Sequence, residues 1–195
     1  MNEKDVIEFF DSVAPNWDAG MIRDDEKIRH ILNVAGVCEG CRVLDVATGT
    51  GVLIPDYLER NVEKIVAFDI SPNMIAVAKQ KFQNESKVEL QCTGIEGLRW
   101  EEPFDCAIIY DAFPHFMDVK GLVERLANVI RPGGRLTIAH DRGIDQLNMH
   151  HSGAAKKVSN DMITTGEMAE LLEMHFVVDY QQSEEEIYIV SGRRI

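Results

Sequence analysis

The chain has 195 residues, 20 of them Lys or Arg and 33 Asp or Glu, for a formal charge of −13. That balance argues against a non-specific nucleic-acid binder, which meets phosphates with clustered Lys and Arg; the basic clusters here, Lys156-Lys157 and Arg193-Arg194, are short. The length suits one domain with one substantial core, and 45% hydrophobic residues is an ordinary globular composition.

No apolar stretch approaches the roughly 20 residues a membrane-spanning helix needs. The opening MNEKDVIEFF lacks the basic-then-apolar order of a signal peptide, so neither membrane nor export is expected.

Helix and strand signals alternate along the chain. Val6, Phe9, Phe10 and Val13 recur at helical spacing, as do Ile28, Ile31, Leu32 and Ala35. Arg42 to Ala47 is a β-rich run that ends in Thr48-Gly49-Thr50-Gly51, with a helix expected through Leu53, Ile54, Tyr57 and Leu58. A second strand is expected over Lys64 to Ile70. Ser71-Pro72 then offers a cap and a first-turn proline for a helix carrying Met74, Val77, Ala78 and Phe82.

Val88 to Cys92 and Phe104 to Tyr110 read as further strands. The helix through Val119, Leu122, Val123, Leu126 and Ile130 closes at Arg131-Pro132-Gly133-Gly134, ahead of a fifth strand over Arg135 to His140. Thr164-x-x-Glu167 has the form of a capping box. Two final β-rich runs, Phe176 to Tyr180 and Glu186 to Ser191, are joined too tightly for a crossover helix, so they pair antiparallel.

This pattern predicts an α/β, Rossmann-like doubly wound fold. Its seven-stranded sheet is mostly parallel with an antiparallel end strand, and helices cover both faces. The connection Gly143 to Ile163 breaks the alternation, and long connections are often functional. Cys38, Cys41, Cys92 and Cys106 are too few for a disulfide scaffold, which points to the reducing cytoplasm. Cys38-x-x-Cys41 has no second pair to complete a zinc site, and Cys92 and Cys106 read as small core residues.

Ligands of such sheets bind at the carboxyl ends of the strands. Gly49 and Gly51 follow the first strand and open a helix, where free N–H groups favour anionic or polar groups. Asp69 ends the second strand, where a carboxylate can accept hydrogen bonds from ribose hydroxyls. Together these indicate a nucleoside-containing cofactor. The dinucleotide pattern asks for a third glycine, and Ile54 stands at that position. An NAD-dependent oxidoreductase and a non-catalytic nucleoside-cofactor-binding module stay open as alternatives.

Five segments carry a resemblance to a known family: Phe10-Asp11-Ser12-Val13-Ala14-Pro15-Asn16-Trp17-Asp18, Val43 to Gly51, Phe68 to Met74, Phe104-Asp105 and Ile130 to Gly134. With them the chain resembles the class I S-adenosylmethionine-dependent methyltransferases, and is most similar to the small ubiquinone/menaquinone methyltransferase-like group. The resemblance spans nearly the whole chain. It implies one methyltransferase domain over 1–195, a lid segment over 1–23 and an acceptor-side connection over 141–163.

It also implies that S-adenosyl-L-methionine is bound, with S-adenosyl-L-homocysteine as product. Asp45, Ala47, Thr48, Gly49 and Gly51 would surround the methionine portion and Asp69 the ribose. Ile70, Met74, Ile95 and Glu96 would border the adenine, with Tyr110, Asp111 and Trp17 near the sulfonium. Ala47 replaces a frequent glycine of the family, and Gly94 stands where many relatives carry an aspartate.

The methyl acceptor is expected to be a small molecule. A protonated acceptor needs a base, and histidine is the side chain suited to it near neutral pH. His30 and His175 are expected on helices as structural or surface groups, whereas His115, His140, His150 and His151 follow strands on the cofactor side. His115, His140 and His151, with Tyr110, are therefore the candidate catalytic residues. A sharper alternative makes His140, His151 and Asp161 ligands of a divalent metal.

Overall fold

A computed structural model describes residues 1–150 and 157–195. Its strands are β1 (Arg42–Val46), β2 (Lys64–Asp69), β3 (Val88–Cys92), β4 (Phe104–Tyr110), β5 (Ile130–His140), β6 (Phe176–Glu184) and β7 (Ile187–Arg194). They form one sheet in the order β3-β2-β1-β4-β5-β7-β6. The first five are mutually parallel, and β7 runs antiparallel to both neighbours. The last strand of the chain thus sits one place in from the sheet edge. The order turns outward in both directions from β1 and β4, which makes the crevice between them the switch point where ligands bind.

The helices are α1 (Glu3–Val13), α2 (Asp25–Val34), α3 (Ile54–Glu59), α4 (Pro72–Lys81), α5 (Val119–Val129), α6 (Ile144–His150) and α7 (Thr165–Leu172). Strand alternation divides the core between the two faces of the sheet. Leu44, Val46, Val66, Phe68, Ala107 and Ile109 pack with Leu122, Leu126, Met168 and Leu172 of α5 and α7. Val43, Ile65, Ala67, Cys106 and Ile108 pack with Ile28, Leu32, Ile54 and Tyr57 of α2 and α3. The caps form locally as the sequence reads. The Ser71 hydroxyl accepts from Met74 N at 3.1 Å, and Thr164 with Glu167 completes a reciprocal capping box.

Four features differ from the sequence reading. β5 starts at Ile130, not Arg135: its register jumps from Phe104↔Ile130 to Cys106↔Arg135, so Arg131 to Gly134 bulge out. Cys92 is exposed, because β3 is an edge strand and ends there. His175 falls in the turn after α7 rather than on a helix. The connection after β5 contains α6, whose short helical run had no cap or period to announce it. Among the described residues no helix is long and apolar enough to cross a membrane.

Candidate active site

The carboxyl end of β1 turns through three left-handed residues, Ala47 (φ 54°), Gly49 (φ 56°) and Gly51 (φ 84°). Gly51 is fixed twice over. Besides its φ, an added Cβ would lie 2.6 Å from Phe82 and 2.8 Å from Ile54. At Gly49 a Cβ would meet nothing within 4 Å, so the loop faces open space there. Ala47 holds its left-handed backbone without glycine's freedom, at a cost of about 1–2 kcal/mol.

Two carboxylates shape this loop from below. Asp69 accepts from Gly49 N at 2.9 Å with one oxygen and from Ser71 N at 2.8 Å with the other. Burial pushes its carboxyl up, against the two backbone N–H groups that favour the charged form. Asp45 is buried on the α3 side, where Thr48 Oγ1 donates to it at 2.6 Å and the Tyr57 hydroxyl at 3.3 Å. Loss of solvent pushes Asp45 up to about 7, with the Thr48 and Tyr57 bonds opposing.

Over the loop lies the N-terminal segment, α1 followed by short 3-10 turns at Ala14–Asn16 and Asp18–Gly20. Two carboxylates latch it to the body. Asp11 Oδ1 accepts from Ser71 Oγ at 2.5 Å and from Asn73 N at 3.0 Å, at the start of α4. Asp18 accepts from Thr50 Oγ1 at 2.5 Å and from Lys81 Nζ at 2.8 Å. Burial would raise Asp18, but the Lys81 and Thr50 contacts outweigh it and hold the carboxyl below its ordinary value.

Beneath this segment is a cavity of about 1190 Å³. Of the residues the sequence points to, Trp17, Ala47, Thr48, Gly49, Asp69, Ile70, Met74, Ile95, Glu96, Tyr110 and Asp111 line it, and so do His115 and His140. Asp45 and Gly51 do not. Asp45 is sealed beneath Thr48 and so acts on the wall only by orienting that residue, while Gly51 turns toward a neighbouring surface groove. His151 and the side chain of His150 lie outside the described residues.

On the β4–β5 side, Asp111 is the second non-glycine left-handed residue of the cavity wall, at φ 51°. Its carboxylate accepts from Asp141 N at 3.0 Å, tying the two strand ends together. Burial first, then Asp111, pushes the Tyr110 hydroxyl up, so Tyr110 remains a neutral phenol and is no general base near neutral pH. Asp141 is likewise raised by burial and by Asp111. Lys27 reaches in from α2, donating to Asp141 O at 3.1 Å.

The two described histidines of the cavity differ in kind. His115 Nδ1 donates to Val158 O at 2.8 Å, and its ring meets Phe10 edge-on at 4.9 Å, joining α1 to the segment after the undescribed stretch. His140 is 1% exposed. Its Nδ1 lies 3.3 Å from Asp111 Oδ1, yet neither ring nitrogen makes a hydrogen bond among the described residues. A buried, unsatisfied imidazole is costly unless a ligand completes it. As for a metal, among the described residues no three His, Cys, Asp or Glu side chains form a ligand group. Asp161 is exposed, His140 is enclosed, and the third member of that set is His151.

The sequence reading missed Asp11, Asp18, Lys27 and Asp141. Asp11 and Asp18 sit within the motif Phe10 to Asp18, but their partners lie more than 30 residues away. Only the neighbouring positions of Asp111 and Asp141 at adjoining strand ends could have hinted at the last.

Residues 43–134 match the family model described as a methyltransferase domain. The chain is 30% identical over 168 residues to the malonyl-[acyl-carrier protein] O-methyltransferase of Acetivibrio thermocellus, covering 83% of this chain and 59% of that protein. It is 29% identical over 148 residues to the ubiquinone/menaquinone biosynthesis C-methyltransferase UbiE of Hydrogenovibrio crunogenus, covering 69% and 58%. It therefore spans less than two thirds of these relatives' lengths.

Among solved structures, the N-methyltransferase NodS of Bradyrhizobium japonicum WM9, in complex with S-adenosyl-L-homocysteine, has the same fold. The TM-score is 0.76 at 14% identity, with 97% of this chain and 98% of that one covered. Domain match, relatives and fold each make the chain similar to the class I S-adenosylmethionine-dependent methyltransferases.

Proposed function

We propose that the protein binds S-adenosyl-L-methionine and directs its methyl group to a small-molecule acceptor. That cofactor supplies a carbon activated by a sulfonium leaving group. The residues present fit it. Asp69 at the end of β2 has carboxylate lone pairs beyond those its two backbone partners use, as ribose hydroxyls require. Ile70, Met74 and Ile95 give an apolar bed for a purine, with Glu96 beside it. Thr48 and the left-handed backbone at Ala47 and Gly49 offer the close approach an amino-acid portion needs.

The chain's own contribution to the reaction is alignment and proton removal. Holding two reactants in line can supply about 7–11 kcal/mol. Closure of the N-terminal segment through Asp11 and Asp18 excludes water and confines both reactants. Tyr110, as a neutral phenol, and Trp17 present aromatic faces suited to a cationic sulfur. His140 takes the acceptor's proton, and Asp111, 3.3 Å from Nδ1, steadies the imidazolium that results.

The observation that carries this reading is continuity. One cavity runs from Asp69 and Gly49 past Tyr110 to a buried histidine whose ring nitrogens make no hydrogen bond among the described residues. Its far half pairs apolar walls, Phe9, Phe10, Phe116 and Leu147, with Asp111, His140 and Asp141. We infer an acceptor with an apolar body and a proton-bearing oxygen or nitrogen nucleophile. His115 shapes its pocket, and His151 is not needed as the base. The chain's acidity and its free cysteines support action on a metabolite in the cytoplasm rather than on nucleic acid.

The test is transfer of radiolabelled methyl from S-adenosylmethionine into fractions of a small-metabolite extract. Label appearing in an organic-soluble fraction with wild type and absent with His140→Ala supports the reading. Label transferred equally by both proteins removes His140 as base, and no label in any fraction favours the non-catalytic alternative.

A further inference from the structure

At the opposite end of the sheet, the turn Cys38-Glu39-Gly40-Cys41 leads into β1. Cys41 N donates to Cys38 O at 3.2 Å, which closes a four-residue turn. Gly40 stands third in it at φ 76°, with nothing within 4 Å of an added Cβ, so the glycine serves the left-handed backbone of a type II turn. The turn is pinned from below by Gly40 N to Asn61 O at 3.1 Å and Glu63 N to Cys41 O at 2.8 Å.

Such a turn holds its first and last Cα within about 7 Å, close to the span of a disulfide. Cys38 Sγ lies 2.9 Å from Cys41 Sγ. Cys38 is exposed, Cys41 is 7% exposed, and Cys106 of β4 is buried against Cys41. The Cys106 thiol, joined by Cys38, hydrogen-bonds the Cys41 sulfur and outweighs its burial, bringing Cys41 down to about 6. Its own hydrogen bond with Cys41, then burial, pushes Cys38 up to about 11. Cys41 is thus the thiol of the group that ionises first.

We propose that Cys38 and Cys41 form a redox-active dithiol site that accepts small disulfides of the glutathione class and closes to an intramolecular disulfide. The Cys38 proton passes across the 2.9 Å contact to the Cys41 sulfur, and the accessible Cys38 thiolate so formed attacks one sulfur of the small disulfide. That sulfur–sulfur bond breaks, and the released small thiolate takes the proton back from Cys41, which is left as the thiolate. The Cys41 thiolate then attacks the Cys38 sulfur of the mixed disulfide. A Cys38–Cys41 bond forms, and the second small thiolate departs and takes a proton from water. Two electrons pass from the cysteine pair to the two small thiols. Cys106, locked in β4 opposite Val43, stays reduced. Cys92, exposed on the far edge strand, has no neighbouring thiol among the described residues and stops at the mixed disulfide.

The test incubates the full-length protein with oxidised glutathione at neutral pH, followed by intact-mass and peptide-map analysis after alkylation. Cys92→Ser should lose the mass of two hydrogens, wild type should show the same loss beside one glutathione adduct on Cys92, and both should yield a Cys38–Cys41 bridged peptide that reduced glutathione reopens. Cys38→Ser, a change at an exposed side chain, should form no bridge. Cys41→Ser should hold a stable glutathione adduct on Cys38. Wild type in which both cysteines remain alkylatable, or in which Cys38 stops at the adduct as Cys41→Ser does, overturns the proposal.

Discussion

The two halves of the cavity are built on opposite terms. On the β1–β2 side every buried carboxylate is satisfied in advance: Asp69 by two backbone N–H groups and Asp45 by two hydroxyls. On the β4–β5 side, His140 is buried beside a left-handed Asp111 and a raised Asp141, and neither of its nitrogens is hydrogen-bonded among the described residues. A pre-satisfied wall suits a ligand of fixed shape. An unsatisfied one stores polarity for whatever the other ligand brings, as the proposed chemistry requires.

The widest break in that comparison is His140→Ala. It should lower turnover by about 10²–10⁴-fold, the range general-base catalysis supplies, while leaving S-adenosylhomocysteine affinity unchanged by calorimetry. An equal loss of affinity would move His140 to the cofactor half. Asp69→Ala should do the reverse. It strands the N–H groups of Gly49 and Ser71, each worth about 1–3 kcal/mol, so cofactor affinity should fall about 100-fold. Titration of the variant showing wild-type affinity would detach Asp69 from the ligand.

Asp45 sharpens the contrast through pH. Its carboxyl stands at about 7 in the folded chain against an ordinary 3.8, so the folded state holds the proton more tightly. The stability it contributes is full below the ordinary value and is lost as pH rises through about 7, at up to ~1.4 kcal/mol per pH unit. Asp45→Asn should flatten that part of a denaturant-midpoint profile between pH 5 and about 7. An unchanged slope would assign the dependence to another group.

The smallest effect belongs to the latches. Asp11→Ala or Asp18→Ala should speed cofactor release about five-fold, modest because these contacts are partly exposed. Asp18 is held below its ordinary value, so its latch is intact at neutral pH and fails as pH falls through the folded value. Stopped-flow release rates identical to wild type would show that the N-terminal segment does not hold the ligand.

The same contrast explains what was legible in the sequence. The parallel core and the β1–β2 half are written in contiguous residues: the run into Gly49 and Gly51, the acid ending β2, the cap Ser71-Pro72. Each is decided by local backbone geometry. Strand alternation turns Asp45 to the α3 face, where Tyr57 and Thr48 enclose it, an enclosure no contiguous run announces. Cys92 misled because an apolar run does not say whether its strand is central or at the edge. The β4–β5 half depends on encounters between distant segments, such as Lys27 with Asp141 or His115 with Val158, and no local period encodes those.

The central claim is that the crevice between β1 and β4 holds an adenosyl sulfur compound rather than a dinucleotide. Isothermal titration of the wild-type protein with S-adenosylhomocysteine and, separately, NAD tests it most directly. One equivalent of S-adenosylhomocysteine bound, with no heat from NAD at the same concentrations, is the result expected. Binding of NAD with none of S-adenosylhomocysteine would contradict it.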